Sequence, residues 1–444
     1  MNGPLAQLFA RLSGDVQRPP RLMYALLIVT ILAFTAANSF GSAFSRAMTL
    51  GKWAPLAALT VVSIITFFRL RTHPKAPALA SIMIGALALL TASSAISSRS
   101  PTVFLNALTV FGTIAAGYSI SAVLVATNSR MAYYQLIANL CRIIVLSTLP
   151  FYILNIDLGR GGGAMGLNAW TDNANTLATI LAPGTVVFVA GCLARGEGWQ
   201  YKHLPFLMIS LGLIWVTGSR ATVVWMILSV GAFWIYRRGL ALNTLLVLGF
   251  AMILTIWWQP IMAYLGDALG LTSESLRRRT SVLSGREEVW RYGWSLFERR
   301  PFEGYGLGTS EEILTAAKWR FVRHQGGHFH SSYLTVLVEL GLWGLVTFVL
   351  GLGATIVQAL RDSRRTQNLS NEAWVYSALP FALMMGALGH AGFETWVLSA
   401  GNVNTLNFWT WFWLIHHQTQ VKVRAKPQLL LPAPNASQRL RPAA

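Results

Sequence analysis

Long apolar runs broken by short polar or basic stretches dominate the chain. Helical spans are predicted near 23–41, 53–68, 77–97, 102–127, 131–154, 174–194, 203–219, 220–236, 240–258, 331–359, 373–396 and 402–417. A bilayer core of about 30 Å takes roughly 20 apolar residues as helix. Only a helix or a closed barrel satisfies the backbone there without water. The fourth run is among the clearest, with no charged residue from Thr102 to Thr127, whereas the seventh and eighth are short and meet at Ser219-Arg220. The expected fold class is therefore all-α: a polytopic membrane helix bundle of about 12 transmembrane helices. The first run follows Arg11, Arg18 and Arg21 in the manner of a signal peptide. With so many further spans behind it, it reads as an uncleaved first helix. No internal repeat and no Gly/Ser-rich or Pro-rich linker divides the chain.

Composition supports this pattern. Charged residues make up 11% of the 444 positions and hydrophobic ones 54%, with 17 Trp and 22 Phe, where an ordinary soluble domain carries roughly 25% charge. A soluble monomer built this way would expose apolar patches far larger than such proteins tolerate. A disulfide scaffold is excluded by the presence of only two cysteines, Cys141 and Cys192, both inside apolar runs. Each reads as a small buried hydrophobe.

A net charge of +19 suggests nucleic acid until the basic residues are placed. With a cytoplasmic N-terminus, nineteen Lys and Arg fall on cytoplasmic segments and five on short outer loops. That asymmetry follows the positive-inside rule, from which long translocated segments are largely exempt. Both termini are expected in the cytoplasm, with the bilayer rather than nucleic acid as partner. The expected organisation is nine spans over 1–258, an outer segment over 259–330, three spans over 331–417 and a basic cytoplasmic tail over 418–444. The tail reads equally as a contact for anionic headgroups and as a topology determinant.

Within the outer segment, aromatics and Leu recur at helical spacing among Arg and Glu, as in Val289-Trp290 through Trp294-Ser295-Leu296-Phe297. Amphipathic helices on or just above the membrane fit this pattern, and a solvated loop is the plainer alternative. Arg286 and Trp290 are i and i+4 and share a helix face. The glycines in Pro301-Phe302-Glu303-Gly304-Tyr305-Gly306-Leu307-Gly308 demand irregular backbone, which suits close approach to a ligand. This string lacks the preceding strand of a nucleotide fingerprint. Arg220, held between two helix ends, reads as a snorkelling cation or as a planar donor fork for phosphate. His324, His328 and His330 crowd into seven residues, yet no Cys or well-spaced carboxylate completes a metal site, and none is expected. His330 stands where a span begins, one turn before Tyr333 and Leu334, and is suited to take a proton from an acceptor hydroxyl or to hydrogen-bond a phosphate oxygen.

Ionisable residues inside spans are costly and usually pair or line a cavity. Arg142 and Glu339 both fall at mid-membrane depth, and a structural ion pair between them is the simplest expectation. His390 and Glu394 are i and i+4 near the outer end of the eleventh span, where they read as cavity residues or as packing.

Several of these motifs occur in an order that resembles the O-antigen ligase and polymerase superfamily, including its exopolysaccharide-polymerising relatives. They are Ser219-Arg220, then Gly285-Arg286…Trp290…Pro301…Gly304-Tyr305-Gly306, then His328-Phe329-His330-Ser331-Ser332-Tyr333-Leu334…Glu339-Leu340-Gly341. Asn173-Ala174-Asn175-Thr176-Leu177-Ala178 is similar to the start of a helix in that family. The similarity is strongest over residues 174–350. At Ser331 the chain departs from the Asn found in many members.

The resemblance implies a metal-independent integral-membrane glycosyltransferase without cofactor, in the bacterial inner membrane with its active site facing the periplasm. Its donor would be a glycan on undecaprenyl diphosphate. Its acceptor would be a hydroxyl of lipid A-core for a ligase, or another lipid-linked repeat for a polymerase of O-antigen or exopolysaccharide. Carried over by position, Arg220 and Arg286 would bind the diphosphate, with Arg291 a further member, and His330 with Arg220 would be catalytic. His328, Trp290, Tyr333, His390 and Glu394 would support the site or line its cavity. Outside the resemblance, twelve spans are also common in secondary transporters, but no matching halves are found and charge concentrates in the outer segment rather than at the midplane. A protein-glycosylating transferase is a further reading within the resemblance.

Overall fold

The computed structural model describes residues 21–37, 51–70, 73–74, 78–98, 100–154, 156, 167–171, 173–194, 199–238, 249, 286–317, 327–366, 370–399 and 401–418. Among them the secondary structure is helical, without strands. In chain order the helices are α1 (Arg21–Ala37), α2 (Trp53–Phe68), α3 (Ala78–Ser98), α4 (Pro101–Ala126), α5 (Arg130–Ile153), α6 (Ala174–Leu193), α7 (Trp199–Thr217) and α8 (Arg220–Arg238). There follow α9 (Arg286–Arg299), α10 (Ser310–Ala316), α11 (Ser332–Thr366), α12 (Asn371–Ala391) and α13 (Val403–Gln418). Each predicted apolar run is a helix with ends shifted by a few residues, except 240–258, which apart from residue 249 lies outside the described residues. Four of these helices, α4, α5, α6 and α11, are long and apolar enough to cross a membrane.

Local chemistry sets the helix ends. Pro101 opens α4 at its first turn, where its missing N–H costs nothing. The Asn173 side chain accepts from Thr176 N at 2.9 Å and caps α6, and Ser370 caps α12 through Ala373 N. Such caps contribute about 1 kcal/mol each. Small residues set the helix crossings. Gly386 of α12 lies against Ser229 and Trp225 of α8, Gly117 of α4 against the Trp409–Thr410 backbone of α13, and Gly184 of α6 against Cys141 of α5. A Cβ at any of them would collide, so the helices approach as closely as small-residue membrane interfaces allow. Cys141 is thus a buried packing residue, and both cysteines are free thiols.

The core centres on α12 and α13, whose Leu379, Ala382, Leu383, Leu406, Trp409 and Trp411 are fully buried. Helix α9 is amphipathic as expected, but its apolar face is occupied by protein: Val289, Gly293 and Leu296 are buried, and Val289 and Leu296 join Leu314, Phe329 and Val338 in a small separate core. Trp294 and Phe302 remain exposed.

Helix α11 is broken at Gly341, where φ is 67° and ψ −167°. Carbonyls freed by the kink accept from the turn that follows α9: Tyr305 N donates to Val338 O at 3.0 Å and Gly306 N to Glu339 O at 2.8 Å. In return Leu342 N donates to Pro301 O at 2.7 Å. The glycines of this turn do take positive φ, at Gly304, Gly306 and Gly308. The close approach they permit is to the protein itself, since Gly304 lies on the Glu339–Gly341 backbone and Gly308 on Asn106. The expectation of a ligand at these glycines is corrected accordingly.

Candidate active site

Five segments distant in sequence converge at one end of the bundle: the α7–α8 turn, the first turn of α9, the 327–331 loop, the 392–399 loop and the start of α6. Arg220 is half-buried at the first position of α8. The turn before it is tight. Gly218 has φ 68°, Thr217 Oγ1 donates to Ile214 O at 2.6 Å, and Ser219 Oγ lies 3.0 Å from Thr222 Oγ1. Arg220 is therefore held by two helix ends.

Arg286 opens α9, where Glu287 and Glu288 complement the positive helix end. Its Nη2 donates to Glu394 Oε1 at 2.8 Å. The Arg286 charge also acts on Arg220, so the two guanidiniums lie near one another.

The His loop is braced from both sides. Trp290 Nε1 donates to Phe329 O at 2.7 Å, and Phe329 is fully buried. His330 then takes φ 50°, a conformation uncommon outside glycine. Ser331 N donates to Thr395 Oγ1 at 3.2 Å, while Ser331 Oγ accepts from Leu334 N at 3.4 Å. Ser331 is thus the cap of α11, a post that Ser and Asn fill equally well, which accounts physically for the exchange at this position. Ser332 Oγ donates to Glu394 O at 2.8 Å and receives Trp396 N at 3.0 Å and Val397 N at 3.3 Å.

Glu394 lies just beyond α12. Its Oε1 accepts from Arg286 and, at 3.4 Å, from Asn175 Nδ2, and its Oε2 lies 3.2 Å from His330 Nδ1. Side-chain exposures of 16% for Arg286, 20% for Glu394 and 27% for His330 leave this cluster open to a substrate. Burial pushes the Glu394 carboxyl up, but the His330 hydrogen bond and the Arg286 guanidinium outweigh it and hold the group below its ordinary range. The planar donor forks of Arg220 and Arg286 are suited to an oxyanion ligand.

The remaining predicted residues divide. His390 is buried: its Nδ1 accepts from Trp396 Nε1 at 2.9 Å, and its Nε2 lies 3.1 Å from Thr179 Oγ1. Both of its ring nitrogens are thus engaged inside the protein. Tyr333 donates to Leu388 O at 2.8 Å and braces α11 on α12. His328 is exposed, Arg291 is exposed on α9, and His324 lies outside the described residues. Five residues on from Arg286, Arg291 is turned about 140° around the helix, which separates it from the cluster. Among the described residues no group of His, Cys, Asp and Glu is arranged to hold a metal ion.

The Arg142–Glu339 pair does not form. Glu339 Oε1 accepts from Ser310 N at 3.1 Å at the start of α10, where the kink at Gly341 delivers it. Arg142 instead lies 5.4 Å from the ring centres of Phe188 and Phe206 and 3.4 Å from His203 Nδ1. Sequence reasoning also passed over Asn175, Ser332 and Thr395, although Asn175 and Ser332 sit inside motifs that were noted.

An all-α protein with membrane-crossing helices and an Arg–Glu–His cluster at one bundle end defines the class. Residues 205–349, about a third of the chain, match the family model described as Wzy_C, O-antigen ligase, which supports a likeness to the O-antigen ligase and polymerase superfamily. That likeness implies glycan substrates and a membrane environment. No curated protein matches the chain.

Proposed function

We propose that the protein moves a glycan from undecaprenyl diphosphate to a sugar hydroxyl of lipid A-core at the periplasmic face of the bacterial inner membrane. In this reading twelve spans hold both termini in the cytoplasm. The observation that supports it is the convergence of Arg286 and His330 on Glu394 from separate parts of the chain, with Arg220 close enough to Arg286 for that charge to act on it.

The chemistry runs as a single displacement. Arg220 and Arg286 hold the donor diphosphate. With its Nδ1–H donated to Glu394, a neutral His330 carries its lone pair on Nε2. That nitrogen takes the acceptor proton as the hydroxyl oxygen bonds to the anomeric carbon. The bond from that carbon to the diphosphate breaks, and the electron pair leaves on the phosphate oxygen, where the guanidiniums stabilise it. Metal is not required, because fixed cations already stand where charge develops.

Removing one such group should cost on the order of a hundredfold or more in rate. Arg220→Ala and His330→Ala are expected to abolish glycan transfer while the protein still inserts. Wild-type transfer by both variants would refute the reading. A repeat-unit polymerase uses the same chemistry with a lipid-linked acceptor, and the glycan profile separates them. Loss of a ligase leaves long chains on the carrier lipid, and loss of a polymerase leaves single repeats.

A further inference from the structure

We propose that Glu394 is a positioning residue for this reaction: it sets the ring orientation and tautomer of His330, and Arg286 holds it in place. The proposal rests on the function given above and assigns a group that the transfer chemistry does not itself consume. Glu394 stands between two side chains with different tasks. Its Oε1 is anchored by Arg286 at 2.8 Å and by Asn175 at 3.4 Å, and its Oε2 faces His330 Nδ1 at 3.2 Å. A carboxylate has no proton to give, so Nδ1 must be the donor and Nε2 the basic nitrogen. A carboxylate behind a catalytic imidazole also stabilises the imidazolium that forms as the acceptor proton arrives.

The backbone supports the same task. Glu394 N donates to His390 O at 3.0 Å, and Glu394 O accepts from Ser332 Oγ at 2.8 Å. His390 beneath is fixed by Trp396 and Thr179, and Thr179 Oγ1 donates to Asn175 O at 2.7 Å. Asn175 thus meets both the carboxylate and the scaffold under it. His330 itself stands between the braced Phe329 and Ser331 at φ 50°.

Glu394→Gln separates this role from packing. The amide is nearly isosteric, and its oxygen can still accept from Arg286. Its NH2 then faces Nδ1, which must become an acceptor, so the ring proton moves to Nε2 and the base is lost. The equivalent change behind a protease histidine lowers kcat about ten-thousandfold. Transfer is measured with the full-length protein in nanodiscs, using lipid-linked glycan as donor and lipid A-core as acceptor. Glu394→Gln should lose about a hundredfold to ten-thousandfold in kcat, with donor KM within about threefold of wild type. Glu394→Asp, which keeps the charge but shortens the reach, should fall between wild type and Gln.

A packing role would rank Gln above Asp, and that order overturns the proposal, as does a Gln variant within about threefold of wild-type kcat. If the Gln variant does not fold, Asp alone decides: kcat must fall at least about tenfold at unchanged donor KM, and wild-type kcat overturns the proposal. Full transfer by both Arg220→Ala and His330→Ala would instead defeat the functional reading itself. Loss in those variants with full activity in Glu394→Gln would defeat only the role of Glu394.

Discussion

Gly341→Ala tests the joint that ties α11 to the turn after α9. At φ 67° and ψ −167° the backbone lies in a region essentially reserved for glycine, and holding another residue there costs about 1–3 kcal/mol. The added Cβ would also overlap the Phe302 carbonyl and stand 2.8 Å from Glu303 N, so the 301–308 turn must lift away. Lifting it endangers the bonds from Tyr305 N to Val338 O, Gly306 N to Glu339 O and Leu342 N to Pro301 O. Each contributes about 0.5–1.5 kcal/mol, which brings the total to roughly 2.5–7.5 kcal/mol if all are lost. Against a usual stability of about 5–15 kcal/mol this is severe. The control is Gly353→Ala on the same helix, where nothing lies within 4 Å of the added carbon. It should be neutral or gain up to about 1 kcal/mol from helix propensity. Thermal melting of both variants in detergent measures the difference. Gly341→Ala should melt at least about 5 °C below wild type and lose glycan transfer, because α9 and Arg286 shift with the turn. If it melts alongside the Gly353 control, the kink is not the joint inferred here.

Ser332→Ala removes one hydroxyl that serves Glu394 O, Trp396 N and Val397 N. Leaving such groups unpaired costs about 1–3 kcal/mol each when buried, so melting should drop and amide exchange at 396 and 397 should accelerate; unchanged protection there would contradict the contact. The Glu394 carboxyl titrates below its ordinary range, so the stability it contributes is complete above the unfolded value of about 4.3. That contribution is lost as pH falls from there through the depressed value. A melting profile should therefore be insensitive to Glu394 near pH 6–8 and decline on the acid side below about pH 4.3. Glu394→Gln should flatten part of that decline, and identical acid slopes would refute the linkage.

Much of the site was legible because its charges are scarce. In a chain with 11% charged residues, Arg220 next to Ser219 and Arg286 heading an amphipathic run stand out, and each is conspicuous for the price of burying a cation. The helices were legible for a related reason: an apolar run that cannot hydrate its backbone must satisfy it locally, and helix is the local solution. The cap at Asn173 and the turn glycines at 304, 306 and 308 likewise act within a few residues of themselves.

Partnership was decided elsewhere. Glu394 meets His330 across 64 residues of chain, Arg286 across 108 and Asn175 across 219, and no local pattern encodes such separations. Glu339 turned to the start of α10 rather than to Arg142 because the break at Gly341 bends α11 toward the 301–308 turn. The glycines there met a helix instead of a ligand for the same cause. Local spacing determines which segments become helices and which residues bear charge at their ends. Which of those ends share a corner of the bundle depends on how close-packed helices cross, and only the packed chain settles that.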